Sequence, residues 1–392
     1  MNILLIAPQP FYTERGTPMN VRLMCRILGE AGHSVDLVVF PTGSPIHLKN
    51  VRILRVPNVL GVRSIAVGFS LTKLFYDFLL IFKILQLCIK KRYQVIHGIE
   101  EGGFLAVLFA KIFWTHSIFD MDSSMSEQLA GHNTLNKLGL PPVITIFERW
   151  ALRAADLTIT VCEALTNKAR NLAPGITVVQ IEDIPLQEER ADESVESEVK
   201  QCLLEHELAG KKIILYTGNL EKYQGIDLLL ESWQAMVFHR PELKKERLVI
   251  VGGTATQIRD YMARCSILGI TKEVVFIGSR PAREMTVWMN NATGLVSPRS
   301  EGENTPLKIY TYMASGKPII ATAKKTHTQV LDDTVALLAA PKPEDFAAAL
   351  AACLLDPPKA AVKGAAAARM VEEKYSYSVF QNKLLDAYER LG

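Results

Sequence analysis

Short apolar runs alternate with segments of helical periodicity along this chain, and the whole alternation occurs twice. In the first half, the runs that predict strands cover residues 3–7, 35–40, 51–56, 95–97, 117–120 and 157–161. In the second half, they cover residues 213–217, 248–251, 274–277, 294–296, 318–321 and 335–338. Strands that alternate with helices predict βαβ crossovers and parallel sheets covered by helices on both faces. We therefore expect an α/β protein with two doubly wound, Rossmann-like domains.

Length and composition agree with two domains. A chain of 392 residues exceeds what one hydrophobic core usually serves. A composition of 48% hydrophobic and 22% charged residues is typical of an ordered globular protein. Residues 171–210 are rich in proline, glycine and acidic residues, which suits an exposed connection. We place the boundary near Glu189, with domains at residues 1–189 and 190–374 and a last segment at 375–392.

Charge and cysteine usage exclude several classes of protein. A net charge of +3 is too small to indicate a nucleic-acid partner. The six cysteines form no CxxC pair and no short metal-ligand spacing, so a reduced, cytoplasmic chain is expected. Residues 2–6 lack the basic region and cleavage site of a signal peptide and predict a strand.

Parallel sheets bind ligands at the carboxyl ends of their strands, so two such sheets are expected to face a common central cleft. The loop after the first strand leads to Gly16, Thr17 and Pro18 before an amphipathic segment. Thr17 is a plausible N-cap and Pro18 suits the first helical position. Gly16 would let a phosphate approach this helix N-terminus, although a tight turn without ligand explains the same residues.

Acidic residues follow the next two strands of the first half. His97 and Glu100 follow one strand, and Asp120 and Asp122 follow the next. One of the two aspartates could accept a proton from a sugar or lipid hydroxyl. The Asp-Met-Asp element also permits a divalent metal, but three residues are too few to specify one. A structural role is the alternative to a functional one at these positions. His97 could simply be hydrogen-bonded to backbone groups, and Glu100 and Glu101 could be two carboxylates exposed to solvent.

The second half carries a more specific pattern. The loop from Gly218 to Gly225 follows a strand, and residues 297–322 run through a strand, a polar loop, a helix and a second strand. The chain resembles the family 4 retaining glycosyltransferases in three motifs. They are the Gly-x-Leu loop at Gly218, the end of the first predicted helix at Gly32-His33, and the turn Met313-Ala314-Ser315-Gly316-Lys317-Pro318. That family has the two-domain fold called glycosyltransferase type B.

The resemblance implies a nucleotide-sugar donor held by the second domain. The loop supplies Arg299, Lys308 and the amides near Asn304 and Thr305, a helix start that favours an anion. In the family, an acidic residue of this loop contacts the donor sugar, which places that role on Glu303 or on Glu301. A second acid eight residues later holds the ribose, and that position is Thr311 here.

This sequence departs from the family at three positions. The family commonly offers Arg and Lys to the diphosphate where Asn219 and Gln224 stand here, and a histidine near the acceptor where Asp122 aligns. The third position is Thr311. Lys222, Arg280, Arg299 and Lys308 are candidates to restore the missing charge. These departures favour, as one alternative, a non-catalytic binding subunit.

The most apolar stretch of the chain covers residues 70–89. Lys73, Asp77 and Lys83 interrupt it, and helical spacing gathers them on one side, which indicates an interfacial or a buried helix rather than a transmembrane one. The basic residues 90–92 would favour anionic lipid.

The end of the chain predicts an alanine-rich helix at residues 347–368 and a last helix at 379–391. In the resembled fold, this last helix crosses back onto the first domain.

The prediction is therefore a retaining glycosyltransferase that needs no metal and no cofactor. It would move a sugar from a nucleotide sugar to a hydroxyl of a lipid-linked or cell-envelope glycan, with peripheral attachment to the inner face of the cell membrane. A nucleotide-sugar epimerase or a phosphorylase of similar fold is the second enzymatic alternative.

Overall fold

The structure is a computed structural model that describes residues 1–14, 16–65, 70–126, 140–186 and 192–392. It divides into two compact units, one of Met1–Asp183 with Ser378–Gly392 and one of Ile184–Tyr377. The boundary that the sequence suggested, Glu189, lies outside the described residues.

The first unit is built on a seven-stranded sheet. Its strands are β1 (Asn2–Ala7), β2 (Ser34–Val39), β3 (Val51–Arg55), β4 (Val95–Ile99), β5 (His116–Met121), β6 (Leu157–Thr160) and β7 (Val178–Gln180). Its helices are α1 (Gly16–Glu30), α2 (Leu71–Lys90), α3 (Gly102–Phe113), α4 (Leu140–Ala154) and α5 (Glu163–Leu172). All neighbouring strands are parallel, in the order β3-β2-β1-β4-β5-β6-β7.

The second unit repeats this plan with six strands. They are β8 (Ile213–Thr217), β9 (Arg247–Val251), β10 (Val274–Gly278), β11 (Gly294–Ser297), β12 (Ile319–Thr322) and β13 (Leu337–Ala339). The helices are α6 (Glu193–Glu205), α7 (Ile226–His239), α8 (Ala255–Leu268), α9 (Met285–Asn290), α10 (Leu307–Ala314), α11 (Lys325–Thr328), α12 (Pro343–Leu355) and α13 (Pro357–Lys374). The order β10-β9-β8-β11-β12-β13 is again parallel throughout. A last helix, α14 (Tyr377–Glu389), belongs to the first unit from Ser378 onward.

These sheets confirm the prediction of two doubly wound α/β domains. In each unit, the strand order reverses beside the first strand, between β1 and β4 and between β8 and β11. The crevice at such a reversal, at the carboxyl ends of the strands, is where doubly wound sheets bind ligands. Apolar side chains on both faces of each sheet form the cores, as parallel strands buried on both sides require.

The stretch at residues 171–210, predicted as an exposed connection, contains regular elements. It contains the edge strand β7 and the helix α6, which Asp192 caps by accepting a hydrogen bond from the backbone N–H of Val195 at 3.0 Å. Polar composition hid both elements, because an edge strand and a surface helix each have one solvated face.

The alanine-rich helix is two helices rather than one. Asp356 ends α12 and caps α13, where two prolines occupy the first helical positions. A proline in that place lacks only an N–H that has no helical partner anyway, so it starts a new helix and interrupts the predicted one. Helix α1 begins at Gly16, ahead of the N-cap predicted at Thr17, and the strand predicted at residues 335–338 is β13, two residues later.

None of the helices in the described ranges combines the length and the apolar character that a membrane crossing requires.

Candidate functional site

Glycines bring two loops of the second unit together at the carboxyl ends of β8 and β11. Gly225 has a φ of 75°, and a Cβ atom there would lie 2.1 Å from the carbonyl oxygen of Pro298. Gly218 has a φ of 132°, and a Cβ atom on Gly252 would lie 1.9 Å from the carbonyl oxygen of Gly218. Backbone therefore packs against backbone here, an approach that a side chain would prevent.

Lys308 brings a cation to these loops from the first turn of α10. Its Nζ donates to Oε1 of Gln224 at 3.1 Å and lies 4.0 Å from the centroid of the Tyr216 ring. A Cβ atom on Gly218 would lie 3.1 Å from the same Nζ. Burial, and to a smaller extent Arg299, holds the pKa of Lys308 well below the usual value for lysine. An arriving anion would reverse this effect and favour the charged ammonium.

Arg299 organises the loop that follows β11. Its Nε donates to the carbonyl oxygen of Glu301 at 2.8 Å, and its Nη2 donates to Oδ1 of Asn304 at 2.8 Å. The guanidinium carbon lies 5.2 Å from the centroid of the Tyr223 ring. At Gly302 a Cβ atom would lie 2.4 Å from the same guanidinium, so glycine is required for this wrapping. Arg299 thus holds the conformation of the loop and also brings a positive charge to it.

The loop carboxylates predicted to meet a sugar are anchored through their backbone. Gln329 donates to the carbonyl oxygen of Glu303 at 2.8 Å, and Thr326 donates to that of Asn304 at 2.7 Å. The Glu303 side chain is partly buried, whereas Glu301 is exposed. Which of the two contacts a sugar stays a prediction.

Helix α10 begins later than the sequence suggested. Its first residue is Leu307, and Pro306 precedes it as N-cap. A residue before proline avoids the helical region, which keeps Thr305 out of the helix. The free helix-start amides therefore belong to Leu307 and Lys308 and not to Asn304 and Thr305. The Thr305 hydroxyl is buried and has no hydrogen-bond partner among the described residues.

The other residues predicted for the donor side lie in different surroundings. Asn219 lies in the β8 loop, where its carbonyl oxygen accepts from the Tyr216 hydroxyl at 2.6 Å. Lys222 lies exposed on the following turn. Thr311 accepts a hydrogen bond from the backbone N–H of Leu186 at 3.2 Å, so it ties down the start of this unit. Arg280 was wrongly expected to add charge here, because its guanidinium contacts the sulfur of Cys202 on α6 at 3.4 Å.

Carboxylates gather at the carboxyl ends of β4 and β5 in the first unit. We call Glu100, Asp120, Asp122 and Asp183 the carboxylate cluster. Glu100 accepts from the Ser123 hydroxyl at 3.1 Å. Burial and the charge of Glu101 raise the pKa of Glu100 to about 7. Burial and Asp120 raise the pKa of Asp183 to about 7 as well.

Asp122 has the most strongly perturbed carboxyl of the cluster. Burial, then the charges of Asp120 and Glu100, raise its pKa well above the usual value for aspartate, and a hydrogen bond with Thr17 opposes the shift. The glycine loop and the aspartates predicted from sequence therefore meet. Among the residues that the structure describes, no heavy atom beyond the chain neighbours of Gly16 and its own helix lies within 4 Å of where a Cβ atom of Gly16 would stand.

Two alternatives from the sequence were wrong for this unit. His97 is not satisfied by backbone groups: its Nδ1 lies 2.7 Å from the Tyr388 hydroxyl and its Nε2 lies 3.3 Å from Oδ2 of Asp120. Glu100 and Glu101 are not a solvated pair, since Glu101 forms an ion pair with Lys73 of α2 and burial acts on Glu100.

Sequence reasoning missed Tyr388 and Asp183 in the first unit and Tyr216 in the second. Nothing local marks Tyr388, which meets His97 across 291 positions of sequence. Asp183 follows the unrecognised strand β7, so finding that strand would have found it. The described residues contain no group of three or more His, Cys, Asp or Glu placed to hold a metal ion.

Two family models match the chain. The model described as Glycosyltransferase Family 4 matches residues 16–180, and the model described as Glycosyl transferases group 1 matches residues 211–356. This chain belongs to the group 1, family 4 glycosyltransferases. The resemblance drawn from its motifs is thereby confirmed.

A curated relative and several solved structures are similar to this glycosyltransferase-family chain. D-inositol 3-phosphate glycosyltransferase of Saccharomonospora viridis is 24% identical over 241 residues, which is 60% of this chain and 53% of the relative. The match thus spans about half the length of that relative.

The solved structures match over nearly the whole chain. Sucrose-phosphate synthase from Thermosynechococcus elongatus has a TM-score of 0.78 at 19% identity, covering 100% of this chain and 98% of its own. Anabaena HepE in complex with UDP-glucose has a TM-score of 0.74 at 15% identity, covering 100% of both chains. WaaG, a glycosyltransferase of lipopolysaccharide biosynthesis, has a TM-score of 0.73 at 13% identity, covering 97% of this chain and 98% of its own. At these identities the likeness shows the fold, which is glycosyltransferase type B.

Proposed function

We propose that this protein transfers a sugar from a nucleoside diphosphate sugar to a hydroxyl group of a lipid-linked acceptor at a membrane surface. The observation that carries the donor half is Lys308, a partly buried cation set between the glycine loops of β8 and β11. A lysine whose charge is disfavoured by burial is suited to a ligand that brings two or more negative charges.

The diphosphate would lie against Lys308 and the helix-start amides of Leu307 and Lys308. Charge develops on the leaving diphosphate as the glycosidic bond breaks, and fixed donors that meet this charge lower the barrier. HepE, whose fold matches this chain, binds UDP and UDP-glucose, which supports a uridine nucleotide as the first donor to test. Glu303 would orient the donor sugar.

On the acceptor side, we propose Asp122 or Asp120 as the group that meets the acceptor hydroxyl. A carboxylate whose pKa is raised by burial and by neighbouring charge is a stronger base than an ordinary aspartate. Retention of anomeric configuration and independence of metal complete the proposal, and both rest on the family resemblance. The leaving phosphate itself can receive the acceptor proton in such a reaction, so Asp122 would be an aid to transfer and not its sole base.

The membrane half rests on an apolar surface that spans three neighbouring helices. Helix α2 packs on α3, and α3 packs on α4. Their outward faces expose large apolar side chains: Leu71, Leu74, Phe78, Phe82, Leu85, Ile89, Leu108, Ile112, Trp114, Val143, Ile146, Phe147 and Trp150. Exposed apolar residues of soluble proteins usually occur singly, and a continuous set marks an interaction surface.

Charge on these three helices favours an anionic bilayer as the occupant. Lys90, Lys111, Arg149 and Arg153 are exposed beside the apolar set. The acidic residues of these helices, Asp77 and Glu148, are not exposed. Each basic residue close to an anionic membrane contributes about 1 kcal/mol.

Two details correct the picture drawn from sequence. Lys73 and Asp77 do not form an outer polar stripe, because Lys73 pairs with Glu101 and lies toward the protein. Lys91 is also partly withdrawn, since its Nζ donates to Asp36 at 3.2 Å. The ion pair at Glu101 places the start of α2 next to Glu100, so the apolar surface adjoins the carboxylate cluster, as a lipid-linked acceptor would require.

Thermal unfolding with a panel of nucleotides tests the donor half. UDP, GDP and ADP and their sugar conjugates would be added in turn, since a ligand of the folded state raises the melting temperature. We expect one base to stabilise the protein both as diphosphate and as sugar nucleotide. If no member of the panel raised the melting temperature, the donor proposal would be wrong.

Vesicle binding tests the membrane half. We expect the protein to sediment with vesicles that contain phosphatidylglycerol, more weakly at high salt, and to stay in solution with phosphatidylcholine alone. Equal sedimentation with both vesicles would contradict the role of charge, and sedimentation with neither would contradict the surface altogether.

A further inference from the structure

The C-terminal helix contributes a side chain to the interior of the first unit, beneath the carboxylate cluster. Tyr388 on α14 is fully buried, and so is His97 on β4, whose Nδ1 lies 2.7 Å from the Tyr388 hydroxyl. On the other side of the ring, Nε2 lies 3.3 Å from Oδ2 of Asp120, which is also buried. The three groups form a continuous chain from helix α14 to the end of β5.

Hydrogen-bond chemistry allows one arrangement of protons for a neutral imidazole in this chain. An ionised carboxylate only accepts, so Nε2 must carry the hydrogen that faces Asp120. The bare Nδ1 then accepts, and the Tyr388 hydroxyl donates to it. Burial holds the pKa of Tyr388 well above its usual value, which keeps that proton on the phenol at neutral pH.

We propose that Tyr388 is a positioning residue of the acceptor side: its hydroxyl fixes the Nε2–H tautomer of His97, and His97 in turn orients the Asp120 carboxylate. The second ring nitrogen of a histidine commonly sets the tautomer of the first in this way. Tyr388 touches no reacting atom in this scheme and acts through His97.

Asp120 passes the effect to its neighbours. Its charge is the second largest cause of the raised pKa of both Asp122 and Asp183, and a smaller cause for Glu100. Among the described residues, the ionisable and charged groups that face this chain are Cys25, His33, Lys73, His97, Glu100, Glu101, Asp120, Asp122, Glu182, Asp183 and Tyr388. In Tyr388→Phe the ring of His97 is free to move its hydrogen to Nδ1, and Asp120 loses its donor. Its negative charge is then less compensated and acts more strongly on Asp122.

Nitrogen-15 NMR of labelled histidine tests the tautomer directly, with the signals of His97 assigned by their loss in His97→Gln. In the native protein, we expect a hydrogen on Nε2 and a bare Nδ1. A native His97 that carries its hydrogen on Nδ1 would overturn the proposal, even if Tyr388→Phe did not fold. In Tyr388→Phe we expect a shift of population to the Nδ1–H form.

Carboxyl carbon-13 titration then measures the effect on Asp122. Because Asp120 loses a hydrogen bond that partly compensates its charge, the Asp122 pKa should rise by about one unit in Tyr388→Phe. Tyr93→Phe is the matched control, because Tyr93 is buried in the same unit and its hydroxyl donates to Asp36 at 2.6 Å. We expect no change at Asp122 in that control, and an equal change would overturn the proposal.

A double variant separates positioning from packing. Glutamine at position 97 has a fixed donor and acceptor, so it has no tautomer for Tyr388 to select. We expect Tyr388→Phe to leave the Asp122 pKa unchanged in the His97→Gln background. A shift that persisted there would show that Tyr388 acts through packing.

The acceptor-side role of Asp122 rests on the proposed function, but the tautomer does not. A native Nε2–H that Tyr388→Phe shifts, in a protein that releases no nucleoside diphosphate, would refute the proposed function and leave the positioning role intact.

Discussion

Replacing Lys308 with methionine should weaken nucleotide binding without weakening the fold. The substitution keeps most of the apolar stem of the side chain, and it removes the ammonium together with its contact with the Tyr216 ring. An ammonium has three donors, and Gln224 takes one of them at 3.1 Å. The other two can meet phosphate oxygens.

We take the loss of one of these two hydrogen bonds as the expected effect. A hydrogen bond to a charged group contributes about 1.5–3 kcal/mol, so Lys308→Met should raise the dissociation constant of the nucleoside diphosphate about 10- to 150-fold. Isothermal titration calorimetry at constant salt measures this directly. The matched control is Lys317→Met, because burial lowers the pKa of Lys317 too and its Nζ donates to the carbonyl oxygen of Asn290 at 2.7 Å.

Stability without ligand should change in the opposite direction. Since the folded-state pKa of Lys308 is lowered, the unfolded chain binds the proton more readily between the two pKa values, and native stability rises with pH there. Lys308→Met lacks this dependence and should be at least as stable as the native protein near neutral pH. A variant that bound the nucleotide as tightly as the native protein would refute the role of Lys308, and so would one that lost binding only because it was partly unfolded.

Three further predictions concern pH, backbone and membrane. The pKa of Glu100 is raised to about 7 in the folded state, so the native state binds a proton more readily than the unfolded chain at mildly acidic pH. The free energy of unfolding should therefore fall as the pH rises from about 5 to about 8. Denaturant midpoints should fall less steeply with pH in Glu100→Gln, and an identical fall would contradict the assignment of this pH dependence to Glu100. Gly225→Ala places a Cβ atom 2.1 Å from a carbonyl oxygen, whereas at Gly210, with a φ of 76°, nothing lies within 4 Å. Both variants should lose about 1 kcal/mol to backbone strain, but only Gly225→Ala should lose more than that together with nucleotide binding, as melting curves with and without nucleotide would show. Phe78→Ser should reduce sedimentation with anionic vesicles several-fold, at about 25 cal/mol for each Å² of apolar surface withdrawn. Phe238→Ser, at a still more exposed position of the second unit, should not; equal behaviour of the two would refute the apolar surface.

Periodicity was enough to predict both sheets, because parallel strands buried on two faces are apolar throughout and glycine marks the loops between strand and helix. The Gly218 loop, Arg299 and Lys308 were chosen from the strand-loop-helix pattern and the family resemblance, and their role in donor binding stays a prediction. Pairing over long sequence distances was not accessible: no local signal joins His97 to Tyr388.

Burial was also inaccessible from sequence alone. Glu100 and Glu101 read as a solvated pair until Lys73 and the packing of α3 were known. Helix α2 illustrates the converse, since apolar Leu80 and Ile84 are fully buried on one face whereas apolar Phe78 and Phe82 are exposed on another. Spacing predicts that a helix has two faces but not which of them is covered.

Release of nucleoside diphosphate from a nucleotide sugar tests most directly whether this chain is a working glycosyltransferase. The native protein would be incubated with the sugar nucleotide that stabilises it most, with and without a membrane lipid extract, and the diphosphate and free or lipid-linked sugar would be measured. We expect slow release alone, faster release with the lipid extract, retention of configuration at the anomeric carbon, and loss of both activities in Lys308→Met. Undetectable release from every nucleotide sugar in the panel, under both conditions, would contradict the proposed function.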